Sequence, residues 1–413
     1  MNTQRLPLKS LDDALAQLLA LAVELQRTED VSTFDADGRV LAQDVVSELQ
    51  VPPHDNSSMD GYALRSADVA KLGTVLSISQ RIAAGASGEA LLSGTAARIF
   101  TGAPIPAGAD AVVMQEDCKA LDAGSDGSQI QVNALPKPGQ WIRCAGEDVA
   151  QGAVVLSKGD RLSPASLGLA ASVGLSRLRV AGAPRVALFS TGDELVMPGD
   201  VEPRNMKPGA IYNSNRFFLR ALLVRLGCQV TDFGIVPDRL DATLDALRTA
   251  SAEHDVILTS GGVSVGEEDH IKPAVQALGE LNLWQIAIKP GKPFAYGKVG
   301  AAHFMGLPGN PVSSFITFLI LVRPFLLKLQ GVRDLTVPSV EVSAHFSWPK
   351  ADKRREFLRV RRNAKGGLDL FPNQSSGVLT SAVWSDGVVD NPPGRSITHG
   401  DVVQFIAFSD LLS

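Results

Sequence analysis

Cysteine is scarce in this chain. Cys118, Cys144 and Cys228 are far apart and form no CxxC pair. That argues against a zinc site or a disulfide framework and fits reduced thiols in a cytoplasmic protein. None of the six histidines lies in an HExxH pattern, and no Ser-His-Asp signature appears, so neither a zinc hydrolase nor an activated-serine enzyme is supported. Positive charge is not in excess either. The formal net charge of −5 argues against general nucleic-acid binding, and any anion site must be local. Near the start, Asp12 and Asp13 stand where a signal peptide needs an apolar stretch. The most apolar run, Phe315 to Leu329, is broken by Arg323 and Pro324, which suits a buried helix and not a membrane span. There is no convincing internal repeat or long low-complexity tract.

What is present is a long soluble-protein composition. With 413 residues, 45% hydrophobic and 20% charged, two to four domains are expected. Residues 8–27 predict an amphipathic helix with Ser10 and Asp13 as a capping pair. A Gly/Pro-rich stretch from about 45 to 160 predicts short strands and turns. A second helix is expected at 163–173, with Ser163 as N-cap, Pro164 at its first position and Gly174 after its end. From 184 to 330 strands and helices alternate, which predicts a parallel sheet with right-handed crossovers. Residues 336–413 return to short strands and turns. The expected domains are 1–50 with 146–182 (helical and extended), 51–145 (inserted β), 183–331 (α/β) and 336–413 (C-terminal β).

Ligands of such sheets bind at the carboxyl ends of the strands. The loops there are STGDEL (190–195), VPDR (236–239), SGGVSVGEED (260–269) and LPGNPVS (307–313). Gly261 and Gly262 follow the strand DVILTS and can turn backbone N–H groups toward an anion, with Ser264 in the same loop; a tight turn is the plainer reading. Glu194, Asp238 and Asp269 would repel a bare anion. A divalent cation between them and a phosphate resolves the conflict, although Asp238 also reads as a helix N-cap. Asn310 reads as an N-cap and Pro311 as a first helical residue. Lys289 and Lys292 in IKPGKP are phosphate partners or simply solvated lysines. Asp60-Gly61 is a hairpin turn or a functional site. Arg355, Arg359 and Arg361 alternate along one strand with Phe357, as a solvated face or an oxyanion site.

Eight segments occur together in order: MDGYAL, FTGAPIPAGADAVVMQED, GEDV, STGDEL, PGAIYNSN, TSGGVSVGEED, IKPGKPF and LPGNPVSSF. In this the chain resembles the molybdopterin molybdenumtransferase family, to which the C-terminal domain of gephyrin is related. The resemblance implies a multi-domain α/β plus β protein. Its parts would be a central α/β domain like molybdopterin adenylyltransferase, an inserted β domain, a small helical domain and a C-terminal β-barrel-like domain. It implies a homodimer that takes adenylylated molybdopterin and molybdate, requires Mg²⁺ and releases AMP. Molybdopterin adenylyltransferase and downstream molybdoenzyme maturation proteins would be its partners, with no nucleic acid or membrane. Asp60 and Thr101 would enter the cleft from the inserted domain, with Asp148 nearby. Glu194, Asp238 and Asp269 would sit at strand ends, and Glu194, Asp269 and Asp60 would hold the metal. Asp60, Thr101, Glu194, Asp269 and Lys289 would be catalytic. Gly261, Gly262, Ser264, Lys292, Pro308, Gly309 and Pro311 would line the cleft, and Arg355 and Ser376 would be C-terminal contributions. The family often carries a basic residue four positions before Lys289; here it is Gln285, so no anion contact is assigned there. Adenylyl transfer from ATP and a non-catalytic cofactor-binding scaffold are the alternative activities.

Overall fold

A computed structural model describes residues 8–121, 128–262 and 270–412. The first helix runs Leu11–Leu21, shorter than the apolar pattern suggests. Ser10 Oγ accepts the Asp13 N–H at 3.1 Å, which satisfies one of the donors a helix start leaves open. Its buried face, Leu11, Ala14 and Leu18, packs into the core of the central domain beside Phe325 and Leu326. The helix therefore does not share a core with Pro164–Ser172, the second helix of the same expected domain. That smaller core consists of Ala36, Leu41, Val45, Leu162, Ala170, Leu178 and Val180. It is closed by pairing of Thr28–Ser32 with Arg177–Ala181 and of Val45–Val46 with Val154–Leu156.

The inserted domain holds a six-stranded sheet, with Gly61–Leu64 between Ala111–Met114 and Thr95–Ile99. Gly61 is a strand residue and not a hairpin turn. A Cβ there would fall 2.0 Å from the Val113 carbonyl oxygen, so the neighbouring strand excludes any side chain.

The central sheet has the order Gln229–Val236, Arg185–Thr191, Val256–Ser260, Ala302–Leu307, Pro293–Val299, Gly279–Gln285. The first four strands are parallel and the last two join antiparallel. The sheet is thus mixed at one edge, because a tight turn at Gly300 (φ 58°) folds Pro293–Val299 straight back onto Ala302–Leu307 and leaves no length for a crossover. Period two divides its two faces. Val186, Leu188, Val256 and Leu258 meet the helix Asn215–Arg225 and the helical segment Pro311–Leu329. Ala187, Phe189 and Ile257 meet Leu247, Ala250 and Ala274 on the other side. The Pro311–Leu329 segment is long and apolar enough to cross a bilayer by those criteria alone, but 83% of it is buried inside the protein, as befits a core helix.

The C-terminal domain is a closed five-stranded barrel. Arg355–Arg362, Gly367–Leu370, Val340–Ala344, Val402–Ala407 and Gly387–Asn391 follow one another, and the last pairs back to the first. Ile288–Lys289 adds to Arg355–Glu356 and ties the barrel to the central domain.

Candidate active site

The apolar stripes of two central strands end in hydroxyls: after Val186 and Leu188 comes Ser190, and after Val256 and Leu258 comes Ser260. Ser190 and Ser260 are register neighbours on adjacent parallel strands, so both face the Asn215–Arg225 helix. A cavity of about 700 Å³ opens there, at the carboxyl ends of the strands, within the size range of small-molecule sites. Residues 190–195, 211–215, 260–262 and 308–311 supply most of its wall, with Asp238 and, from the C-terminal domain, Gly377.

A buried polar network holds these loops together. Asn215 Nδ2 donates to Ser260 Oγ and to the Gly309 carbonyl, both at 2.7 Å. Ser314 Oγ lies 3.4 Å from Ser260 Oγ and donates to the Pro308 carbonyl at 2.6 Å. Gly261 (φ 94°) and Gly262 (φ 67°) are in the left-handed region, and a Cβ on Gly261 would lie 2.9 Å from the Thr191 carbonyl oxygen. The loop therefore crosses the strand Arg185–Thr191 at a distance only glycine allows.

Two carboxylates face this polar wall, Glu194 and Asp238. Glu194 curls back over Gly192, where a Cβ would meet its Oε2 at 2.5 Å. Arg239, not Asp238, takes the N-cap position of the following helix, so the capping reading of Asp238 does not hold. Asn310 does occupy the N-cap of Pro311–Thr317, yet its side chain makes no capping bond. The Val312 N–H donates instead to the Ser376 carbonyl at 2.9 Å, so Ser376 contributes backbone and seals one wall with the C-terminal domain.

Glu194, Asp238, Gly261, Gly262, Pro308, Gly309 and Pro311 all line the cavity. Lys292 is exposed and immediately precedes Pro293, another wall residue. Ser264 and Asp269 lie outside the described residues. Lys289 is not in the wall. Its ammonium is 2.9 Å from Glu356, a carboxylate only 1% exposed, and 3.4 Å from Asp352. Arg355 is likewise engaged, by Asp390 and, at 3.0 Å, by Asp12. Both cations join the central domain and its first helix to the barrel. Arg359 is no solvated strand residue. It is 1% exposed, and its guanidinium donates to the Phe357 carbonyl and Ser381 Oγ. Desolvation lowers its pKa to about 10.

Asp60, Thr101 and Asp148 do not line the cavity of their own chain. Asp60 and Thr101 meet each other: the Thr101 N–H and hydroxyl both donate to Asp60 Oδ1 at 2.8 Å. These two bonds, with Arg98 nearby, hold the exposed Asp60 carboxyl below its ordinary pKa. Among the described residues no group of three or more His, Cys, Asp or Glu side chains could by itself hold a metal ion. Two carboxylates at a cavity mouth do fit Mg²⁺, which commonly takes one or two carboxylates and completes its shell with substrate phosphate and water.

Residues 9–174 match the MoeA N-terminal region (domain I and II), residues 187–328 a probable molybdopterin binding domain, and residues 341–408 the MoeA C-terminal region (domain IV). A molybdopterin molybdenumtransferase of Haemophilus influenzae is 39% identical, covering 98% of this chain and 99% of its own length. The chain belongs to the molybdopterin molybdenumtransferase family. A second member, from Nostoc, is 33% identical over 94% of this chain and 91% of its own. The crystal structure of a molybdopterin biosynthesis moeA protein from Pyrococcus horikoshii OT3 superposes with a TM-score of 0.83 at 30% identity, over 97% of this chain and 100% of that one. The match named for molybdopterin binding spans the four parallel strands whose ends make the cavity.

Sequence reasoning assigned no role to Ser190, Asn213, Asn215, Ser260 or Ser314. The period-two pattern carried a signal for two of them, since Ser190 and Ser260 stand where the next inward apolar residue is due. The two asparagines and Ser314 had no such signal.

Proposed function

We propose that this transferase inserts molybdenum into molybdopterin, taking adenylylated molybdopterin and molybdate and releasing AMP in a Mg²⁺-dependent step. The observation that carries this reading is the cavity itself: two carboxylates, a left-handed glycine pair and a polar wall at the carboxyl ends of parallel strands. An adenylate is an activated phosphoanhydride, and its cleavage leaves negative charge on AMP. Bound Mg²⁺ would supply charge neutralisation there, held by Glu194 and Asp238. The glycine pair lets backbone approach the phosphate closely, and the Asn215 network fixes that backbone before the ligand arrives. The pterin dithiolene provides the soft ligands for molybdenum, so no protein thiolate is needed.

The working unit in this reading is a cytoplasmic homodimer. In this reading the partner subunit's Asp60 and the partner subunit's Thr101 complete the cavity, which the same residues of this chain do not line. Asp60 is held ionised by Thr101, ready to compensate a cation or orient a donor. The test is AMP release from adenylylated molybdopterin. Asp60→Ala binds this substrate but releases little AMP when molybdate is added. Full turnover by that variant removes Asp60 from the site, and pyrophosphate release from ATP and molybdopterin without molybdate favours adenylyl transfer.

A further inference from the structure

Seven buried side-chain nitrogen or oxygen atoms among the described residues have no hydrogen-bond partner. Only two belong to residues that line the cavity, Ser190 Oγ and Asn213 Nδ2. Ser190 is 1% exposed and Asn213 is 2% exposed. A polar atom kept dry and unpaired is costly, and native structures rarely tolerate one without a use.

The orientation of Asn213 follows from its own contacts. Its Oδ1 accepts the Arg216 backbone N–H at 3.2 Å, and a backbone N–H can only donate. The oxygen is therefore committed, and the free end of the amide is the NH₂. The Asn213 N–H is bonded in turn to the Val196 carbonyl at 2.9 Å, which fixes the residue in the turn. Ser190 is fixed by the sheet on both sides, paired with Ile235 and Ser260. Its neighbour Ser260 is already occupied by Asn215, so of the two strand-end hydroxyls only that of Ser190 is left over.

We infer that Ser190 Oγ and Asn213 Nδ2 are the two fixed donors of an oxyanion subsite in this cavity. They receive a tetrahedral, acceptor-only group: the phosphoryl of the nucleotide or molybdate itself. This rests on the reading of the cavity as the transferase site. It adds a division of labour. Glu194 and Asp238 face the cation, while uncharged donors face the anion, so the oxyanion meets no carboxylate. Neutral donors also let the product anion leave more readily than a buried arginine would.

The test is isothermal titration with AMP in Mg²⁺ buffer, with adenosine and with molybdate, on the full chain. Ser190→Ala and Asn213→Asp are each expected to weaken binding of AMP, of molybdate or of both at least tenfold, with adenosine unchanged. The two anion arms identify the source of the oxyanion. Ser190→Ala without ligand melts at the same temperature as the parent or higher, because it removes an unpaired buried atom; a structural hydroxyl gives the opposite sign. If Asn213→Asp fails to fold, Ser190→Ala decides alone. Parental affinity for both anions in the folded variants overturns the donor assignment and leaves the transferase reading intact. A parent chain that binds neither anion overturns both.

Discussion

Asn215→Ala is the sharpest probe of how the cavity is held open. Asn215 Nδ2 spans two loops with two bonds of 2.7 Å, one to Ser260 Oγ and one to the Gly309 carbonyl. Each is worth about 1 kcal/mol net, and part of a further 1–3 kcal/mol desolvation cost applies to any group left dry. Gly309 is exposed and can turn to water, whereas Ser260 is 3% exposed and keeps only the Ser314 hydroxyl at 3.4 Å. The sum is about 2–3 kcal/mol, roughly 5–10 °C in the melting of a domain of this size. Thermal unfolding of the central domain, with AMP titration on the same samples, reads both consequences: lower stability, and weaker binding as the glycine loop loses its anchor. A change below about 0.5 kcal/mol, the level of an ordinary surface substitution, with unchanged AMP affinity would refute the reasoning.

Thr101→Val removes one of the two donors that hold the Asp60 carboxyl below its ordinary pKa. The acid limb of the pH–rate profile for AMP release moves to higher pH, with a smaller loss than Asp60→Ala. Lys289→Met leaves the Glu356 carboxylate with only Trp348 Nε1 (2.8 Å) and Asn391 Nδ2 (3.4 Å), so stability falls by about 2 kcal/mol; adding Glu356→Gln restores part of it in a double-mutant cycle. His303, bonded to the Tyr296 hydroxyl at 2.7 Å, is pushed from 6.5 down to about 4 by burial. The unfolded chain binds that proton first, so stability is lost as pH falls from about 6.5 to 4. The loss is about 1–2 kcal/mol after screening at this half-buried site, and His303→Gln flattens the slope measured by denaturant titration.

The central sheet was legible because its strands and helices carry their own periods, 2 and 3.6, and because Gly227 and Pro311 punctuate them. The sheet edge was not. Nothing local in Gly279–Gln285 says that it pairs antiparallel. The amphipathic face of Leu11–Leu21 announced a partner without naming it, since Leu11, Ala14 and Leu18 suit any apolar surface. Within the cavity, the glycines and prolines were readable because backbone geometry demands those residue types. The charged residues were harder. Lys289 and Arg355 look free in sequence, but their partners Glu356 and Asp390 are 67 and 35 residues away and are brought close only by the barrel. Asp238 and Arg239 compete for one cap, and the choice turns on a single residue of helix register.

The account rests on the carboxylates at the cavity mouth holding a cation against an anionic ligand. The direct measurement is the Mg²⁺ concentration that half-saturates molybdate-stimulated AMP release, compared between the parent and the Glu194→Gln, Asp238→Asn double variant. The account predicts release that requires both Mg²⁺ and molybdate, with at least a tenfold higher Mg²⁺ requirement in the variant. The same Mg²⁺ dependence and the same rate in both proteins would contradict it.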